Sequence, residues 1–188
     1  VDSIFHLAAE TGTAQSMYQI GHYNYVNSQG TALLFEALNR KKYHIKKIIL
    51  ASSRSVYGEG AYVCDCHEGR EQLVYPPTRL LEDLKAHQWE PRFPLCRSVV
   101  RATATPENAA ILPASIYAAT KYAQEDLVRI GSSALGINSV ILRFQNVYGE
   151  GQSLNNPYTG ILSIFSTRIR RRLSLPIFED GLESRDFV

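Results

Sequence analysis

Methionine and tryptophan occur once each in the 188 residues, and cysteine only three times. All three thiols lie between Cys64 and Cys96, so any role for them is local to that stretch. No apolar run approaches the roughly 18 residues that a membrane helix requires, and no signal peptide is expected. Charge of one sign is missing too. Twenty Lys and Arg stand against 18 Asp and Glu, a net charge of +2 that demands no nucleic-acid partner. The densest basic run, Arg168 to Arg172, reads as a solvated helix face. With 45% hydrophobic and 20% charged residues the composition is that of a soluble, cytoplasmic globular enzyme, a setting in which disulfides are disfavoured.

Three apolar runs each end in small or polar residues. VDSIFHL leads into Ala8, Ala9, Glu10, Thr11 and Gly12; IKKIIL leads into Ala51, Ser52 and Ser53; INSVILRF leads into Gln145 and Asn146. Between the first two lies a segment rich in Ala and Leu that ends in basic residues, as a helix C-terminus prefers. Between the second and third, a helix is predicted from an N-cap at Ser115 to a stop near Gly136. Apolar strands alternating with helices predict an α/β fold, a doubly wound parallel sheet covered on both faces. Ligands in such sheets bind at the carboxyl ends of the strands, where all three polar clusters fall.

The chemistry-bearing pair is Tyr117 and Lys121, one helical turn apart in SIYAATK. Positions i and i+4 share a helix face, so the spacing predicts an ammonium beside a phenol, favouring the ionised form, with a serine hydroxyl on the same substrate oxygen. A free tyrosine titrates near pH ~10, so action near neutrality needs a drop of about 3 units, roughly 4 kcal/mol. One lysine in a wet site does not supply that. A cationic ring such as an oxidised nicotinamide, together with partial burial, does, and points to a dinucleotide. On its own the pair is a weak signal, since 11 tyrosines and 20 basic residues produce such spacings by chance.

HLAAETG, NSQGT, SSRSVYG, PASIYAATK, LRFQNVYG and DGLESRDFV together, in this order, resemble the motifs of extended short-chain dehydrogenases that act on nucleotide sugars. The resemblance leaves out only residues 60 to 110. Among these enzymes the chain looks most like the 4-epimerases, and the run GQSLNNPYTGILSIF followed by IFEDG is most similar to those acting on dTDP-L-rhamnose. The resemblance implies a Rossmann-type fold with NAD as cofactor, a nucleotide-sugar substrate, and a homodimer for the full-length parent. It makes Tyr117 the base, Lys121 the holder of the nicotinamide ribose, and Ser53 the partner of the reacting sugar oxygen. Leu7, Ala8, Ala9, Thr11, Asn27, Ser52 and Phe144 would line the dinucleotide with Tyr117 and Lys121. Asn146 and Arg185 would grip the diphosphate, the guanidinium fork matching phosphate oxygens, and Pro176 and Phe178 would border the base. The alternative for Arg185 is a surface ion pair with Asp186 or Glu183. A 4,6-dehydratase of the same superfamily is expected to carry an Asp-Glu pair before its VYG, whereas Arg54 and Ser55 stand here.

The resemblance also leads one to expect a glycine-rich pyrophosphate turn upstream of Val1, and an acidic ribose ligand that the chain does not contain. The expected organisation is residues 1–58 and 113–150 as one half of the dinucleotide-binding domain, 59–112 as an insertion, and 151–188 as the beginning of the substrate-binding region. A piece so divided is expected to be inactive and poorly folded by itself. Within the insertion Cys64, His67 and Cys96, with Cys66 beside them, are reminiscent of a small zinc ribbon, and similar relatives pair a CxxH with a CPxC. Phe93 occupies the first position of the second knuckle, so reduced thiols in a degenerate loop compete with zinc. Two other functions stand beside the epimerase: another NAD(P)-dependent nucleotide-sugar enzyme, a reductase or decarboxylase, and a non-catalytic protein using the insertion as a binding module.

Overall fold

The computed structural model describes residues 1–41, 43–67, 70–154 and 160–188, with the side chains of residues 66, 67, 70 and 71 left out. It divides into two compact units, one formed by 1–54, 115–175 and 185–188, the other by 55–114 and 176–184.

The first unit is a three-stranded parallel sheet in the order β1 (Ser3–His6), β2 (Lys47–Ser53), β6 (Asn138–Phe144). As the central strand, β2 carries apolar residues on both faces, and alternate residues from Ile48 to Ser52 are fully buried. Ile48 and Leu50 form the core with Leu38 from α3 (Gly30–Lys41), Val128 from α5 (Ile116–Leu135) and Ile137. The expected parallel α/β arrangement is therefore present, with helices between successive strands.

Helix α5 starts and stops where its sequence signals lie. Ser115 is extended, and its hydroxyl accepts from the Ala118 N–H at 3.1 Å, satisfying one of the free donors of the first turn. Gly136 ends the helix at φ 65, a left-handed conformation that glycine adopts without a Cβ penalty. Its buried stripe runs through Ala118, Lys121, Gln124, Glu125, Val128 and Ser132, a helical periodicity in which four members are polar. The stretch before α3 differs from a plain helix: after α1 (Thr13–Ser16) and α2 (Ile20–Tyr23), residues Asn24–Gln29 form a π-helical turn. Such wide turns are often found at functional sites, and here the turn carries the buried Asn27.

The second unit is built on an antiparallel sheet in the order β4 (Arg70–Val74), β3 (Tyr62–His67), β5 (Arg101–Ala102), with helix α4 (Leu81–Lys85) following β4. Cys64, Val74 and Val100 are its buried apolar centre, with Tyr62 and Phe93 packed against them. Phe93, which stands where a fourth metal ligand was sought, is part of this small core. Arg79 donates to Glu179 at 2.8 Å and to the Trp89 carbonyl at 3.0 Å, joining residues 176–184 to the insertion.

Gly58 sits at φ 63, and a Cβ there would lie 2.4 Å from the backbone oxygen of Leu112. Gly58→Ala therefore combines left-handed strain with a clash against main chain. It is expected to destabilise the protein by about 2 kcal/mol, measured by denaturant unfolding.

Candidate active site

The carboxyl end of β2 separates two serines by strand alternation. Ser53, the last residue of the strand, is half-buried and hydrogen-bonds the Tyr117 phenol. Ser52 points to the other face, is 4% exposed, and its hydroxyl donates to Glu125 Oε1. Arg143, register partner of Ser52 on β6, grips the same carboxylate through Nε at 3.0 Å and Nη2 at 2.7 Å. Ser52 thus lies in a buried anchor tying β2 and β6 to α5, next to the Ser53 that meets the Tyr117 phenol. Both partners of a carboxylate in such a place must be kept, because a buried charge left alone is strongly destabilising.

Asn27 is likewise a framework residue. Its side-chain oxygen accepts from the Glu10 N–H at 2.8 Å, and its amide donates to the Glu10 carbonyl at 3.2 Å and to Thr120 Oγ1 at 3.0 Å. It has no exposed surface and shapes the loop after β1. The Tyr23 hydroxyl assists by donating to the Thr11 carbonyl at 2.6 Å. That loop leaves Leu7, Ala8 and Thr11 exposed and Ala9 half-buried at the carboxyl end of β1. Phe144, half-buried, is the register partner of Ser53.

Lys121 is 3% exposed, and its ammonium donates to Gln124 Oε1 at 2.7 Å. Burial pulls its pKa down from 10.5 to about 8, with the Glu125 carboxylate opposing. The Tyr117 phenol moves the other way, raised above its ordinary value by burial, with the Ser53 hydrogen bond opposing. The ammonium is directed at Gln124, and burial of the phenol outweighs what the serine supplies, so the lysine by itself does not make this phenol acidic. Backbone placement is firm, since the Tyr117 N–H donates to the buried Ser16 Oγ at 3.0 Å. His6 and Gln124 are additions that spacing did not single out. Both lie within hydrogen-bonding reach of Thr31, and the signal available was that Gln124 falls on the Lys121 face of α5.

Asn146 donates through its side chain to the Asp186 carbonyl at 3.2 Å, and its backbone forms a parallel bridge with Phe187. It thereby holds the segment containing the exposed Arg185 along the continuation of β6. Pro176 and Phe178, both exposed, belong to the second unit. The zinc expectation finds no support: among the described residues no three His, Cys, Asp or Glu side chains gather, and the side chain of His67 lies outside them. The Cys64 and Cys96 sulfurs lie 3.7 Å apart, in contact but not covalently bonded to each other. No helix among the described residues is long and apolar enough to cross a membrane.

The residues present suit a dinucleotide in their donor chemistry. A buried ammonium with one side-chain acceptor keeps further N–H groups for hydroxyls, and a half-buried phenol–serine pair ends the neighbouring strand. A charged lysine so placed weakens the fold. The unfolded chain holds the proton up to pH 10.5, the folded chain only to about 8, a penalty on the charged form of about 3 kcal/mol. That penalty is complete below about pH 8 and is relieved as pH rises toward 10.5. Stability relative to Lys121→Met should accordingly increase over this window, by up to about 3 kcal/mol in urea unfolding at pH 7, 8.5 and 10.

Residues 1–82 and 77–188 match the description of the NAD dependent epimerase/dehydratase family. The chain is 42% identical over 185 residues to a dTDP-L-rhamnose 4-epimerase of Burkholderia thailandensis, covering 98% of this chain and 48% of that protein. It is 29% identical to a putative UDP-glucose 4-epimerase of Methanocaldococcus jannaschii, covering 100% and 48%. Among solved structures, UDP-glucose 4-epimerase of Thermotoga maritima, with UDP-glucose, superposes with TM-score 0.72 at 26% identity, covering 100% of this chain and 47% of that one. UDP-glucuronic acid 4-epimerase of Bacillus cereus, in complex with UDP-glucuronic acid and NAD, does so with TM-score 0.67 at 26% identity, covering 100% and 45%. The chain spans about half the length of the curated relatives it matches. With both halves of its length matched and a parallel sheet whose central strand ends at Ser53, bonded to Tyr117, the chain belongs to the NAD dependent epimerase/dehydratase family.

Proposed function

We propose that this chain carries the proton-handling machinery of an NAD-dependent 4-epimerase acting on a nucleotide-activated sugar of the dTDP-L-rhamnose type. The observation that carries this reading is the meeting of Ser53, at the carboxyl end of β2, with the Tyr117 phenol in the first turn of α5, one turn before the buried Lys121. The 42% identity to a rhamnose 4-epimerase supports the choice of sugar. In this reading 1–58 and 113–150 serve the dinucleotide, 59–112 is an insertion on that framework, and 151–188 begins the substrate-binding region. The whole enzyme works in the cytoplasm as a homodimer.

Tyr117 takes the proton of the sugar 4-hydroxyl and later returns it, while Ser53 donates a hydrogen bond to the same oxygen and holds it against the phenol. When bound, NAD would supply the two-electron acceptor for the hydrogen on C4 and a positive charge that favours the phenolate. The sugar passes through a 4-ketone, turns over, and regains the hydrogen on C4 from its opposite face while Tyr117 returns the proton to the 4-oxygen, so one stereocentre inverts and no cofactor is consumed. Lys121 holds the cofactor and adds its own positive charge to the site. Leu7, Ala8, Ala9, Thr11 and Phe144 supply its apolar and small-residue lining, while Asn146 holds the segment from which Arg185 would reach the diphosphate. Arg54 and Ser55 offer no carboxylate for proton transfer at C5, which separates this site from a 4,6-dehydratase.

Tyr117→Phe removes the acid–base group and leaves the ring. In the full-length protein it is expected to lower kcat by at least about 100-fold with little change in NAD affinity. The measurement is interconversion of the two 4-epimers by NMR, with NADH absorbance followed in parallel. Release of carbon dioxide, or net consumption of NAD(P)H, would replace the epimerase by a decarboxylase or reductase.

A further inference from the structure

Beneath the proposed site, a row of buried polar side chains connects β1, the helix following it and α5. Lys121 Nζ donates to Gln124 Oε1 at 2.7 Å, and Gln124 Nε2 donates to Thr31 Oγ1 at 2.8 Å. Thr31 in turn donates to the Asn27 carbonyl at 2.7 Å, and His6 Nε2 stands 2.8 Å from the same hydroxyl. Gln124 and Thr31 have no exposed surface. Counting protons orients the row. The hydroxyl has one hydrogen, directed at Asn27, so its oxygen accepts from Gln124 and from His6. The Gln124 amide cannot be reversed, because an ammonium has no lone pair to receive its N–H.

We propose that Gln124 is a positioning residue for Lys121: it fixes one ammonium hydrogen through Oε1 while Thr31, itself held by His6 and Asn27, accepts from its amide, leaving the other ammonium hydrogens for the cofactor. Nothing in the YxxxK spacing calls for an amide three residues after the lysine. A lysine reaches its target on a flexible four-carbon stem, and an acceptor on the same helix face removes most of that freedom. A neutral acceptor also leaves the cation uncompensated, in keeping with the lowered Lys121 pKa. The Glu125 carboxylate does not neutralise it directly, being held by Arg143 and Ser52. His6, whose pKa burial and Lys121 both lower, stays neutral at the far end of the row. The titratable groups around Lys121 are thus His6 on β1 and Tyr117 and Glu125 on α5, with Arg143 on β6 bound to Glu125.

This inference rests on the NAD-dependent reading above, and its test is separate from turnover. In cofactor-free protein labelled with ε-13C-lysine, the Lys121 signal, identified by its loss in Lys121→Met, should titrate near pH 8. Gln124→Glu puts a carboxylate against the ammonium in the same shape and should move that midpoint up by at least about one pH unit. Gln124→Leu removes the acceptor and should weaken NAD binding about tenfold by calorimetry in the full-length protein, whereas Gln124→Glu should keep it within about threefold. An unmoved Lys121 midpoint in a folded Gln124→Glu protein overturns the proposal, as does unchanged NAD affinity in Gln124→Leu. If Gln124→Leu does not fold, the Gln124→Glu titration decides alone. A protein that binds NAD and shows these shifts, yet epimerises no sugar, refutes the epimerase reading and leaves the role of Gln124 standing.

Discussion

A cation held out of water between helix and sheet is the constraint around which the first unit is organised. Lys121 sits in the middle of the α5 stripe that elsewhere packs Ala118 and Val128, so its ammonium needs an acceptor that burial does not remove. Gln124 provides it from the same helix, and the polar residues behind Gln124 extend the solution to β1 and α3. Each link is neutral. A carboxylate in place of Gln124 would satisfy the ammonium better and would also diminish the positive charge that a phenolate needs nearby. The fold accepts a less stable lysine in exchange for a more useful one.

The strand ends are held by a second polar device that keeps clear of the first. Glu125 follows Gln124 on α5 and takes the opposite kind of partner, a bidentate guanidinium from β6 and a hydroxyl from β2. Parallel strands give up their backbone hydrogen bonds where the ladder stops, which makes side-chain clamps valuable at that point. Because Ser52 is clamped, Ser53 is aimed, and the period-two alternation of a strand turns one residue into framework and its neighbour into site. The loop after β1 is treated in the same way, with the Asn27 amide taking both the N–H and the carbonyl of Glu10. These clamps sit behind the residues proposed to touch ligands.

The insertion obeys a different logic. Its sheet is antiparallel and its apolar centre small, built from Cys64, Val74 and Val100 with Tyr62 and Phe93 against them. The aromatic at the first position of the second knuckle serves packing: Phe93 lies against the Cys64, Val74 and Val100 centre. Arg79, bonded to both Glu179 and the Trp89 carbonyl, adds a partly buried tie in place of a larger core.

Much of this was legible in the sequence because it depends on local rules. Ser115 and Gly136 delimit α5 through capping and a left-handed stop, and the apolar runs ending in Ala8, Ser53 and Gln145 mark parallel strands whose carboxyl ends point one way. Tyr117 and Lys121 share a face by helical geometry alone. Other properties depended on groups far apart in the chain. The direction of the Tyr117 pKa followed from burial against Ser53, the separation of Ser52 from Ser53 required Glu125 and Arg143, and the role of Asn27 required Glu10 and Thr120. The sequence by itself determined which backbone segments become strand and helix, and that Tyr117 and Lys121 share one helix face. Only the tertiary structure decided which polar side chains are left for a ligand, because that depends on which hydrogen-bonding groups have already been matched by partners from other elements.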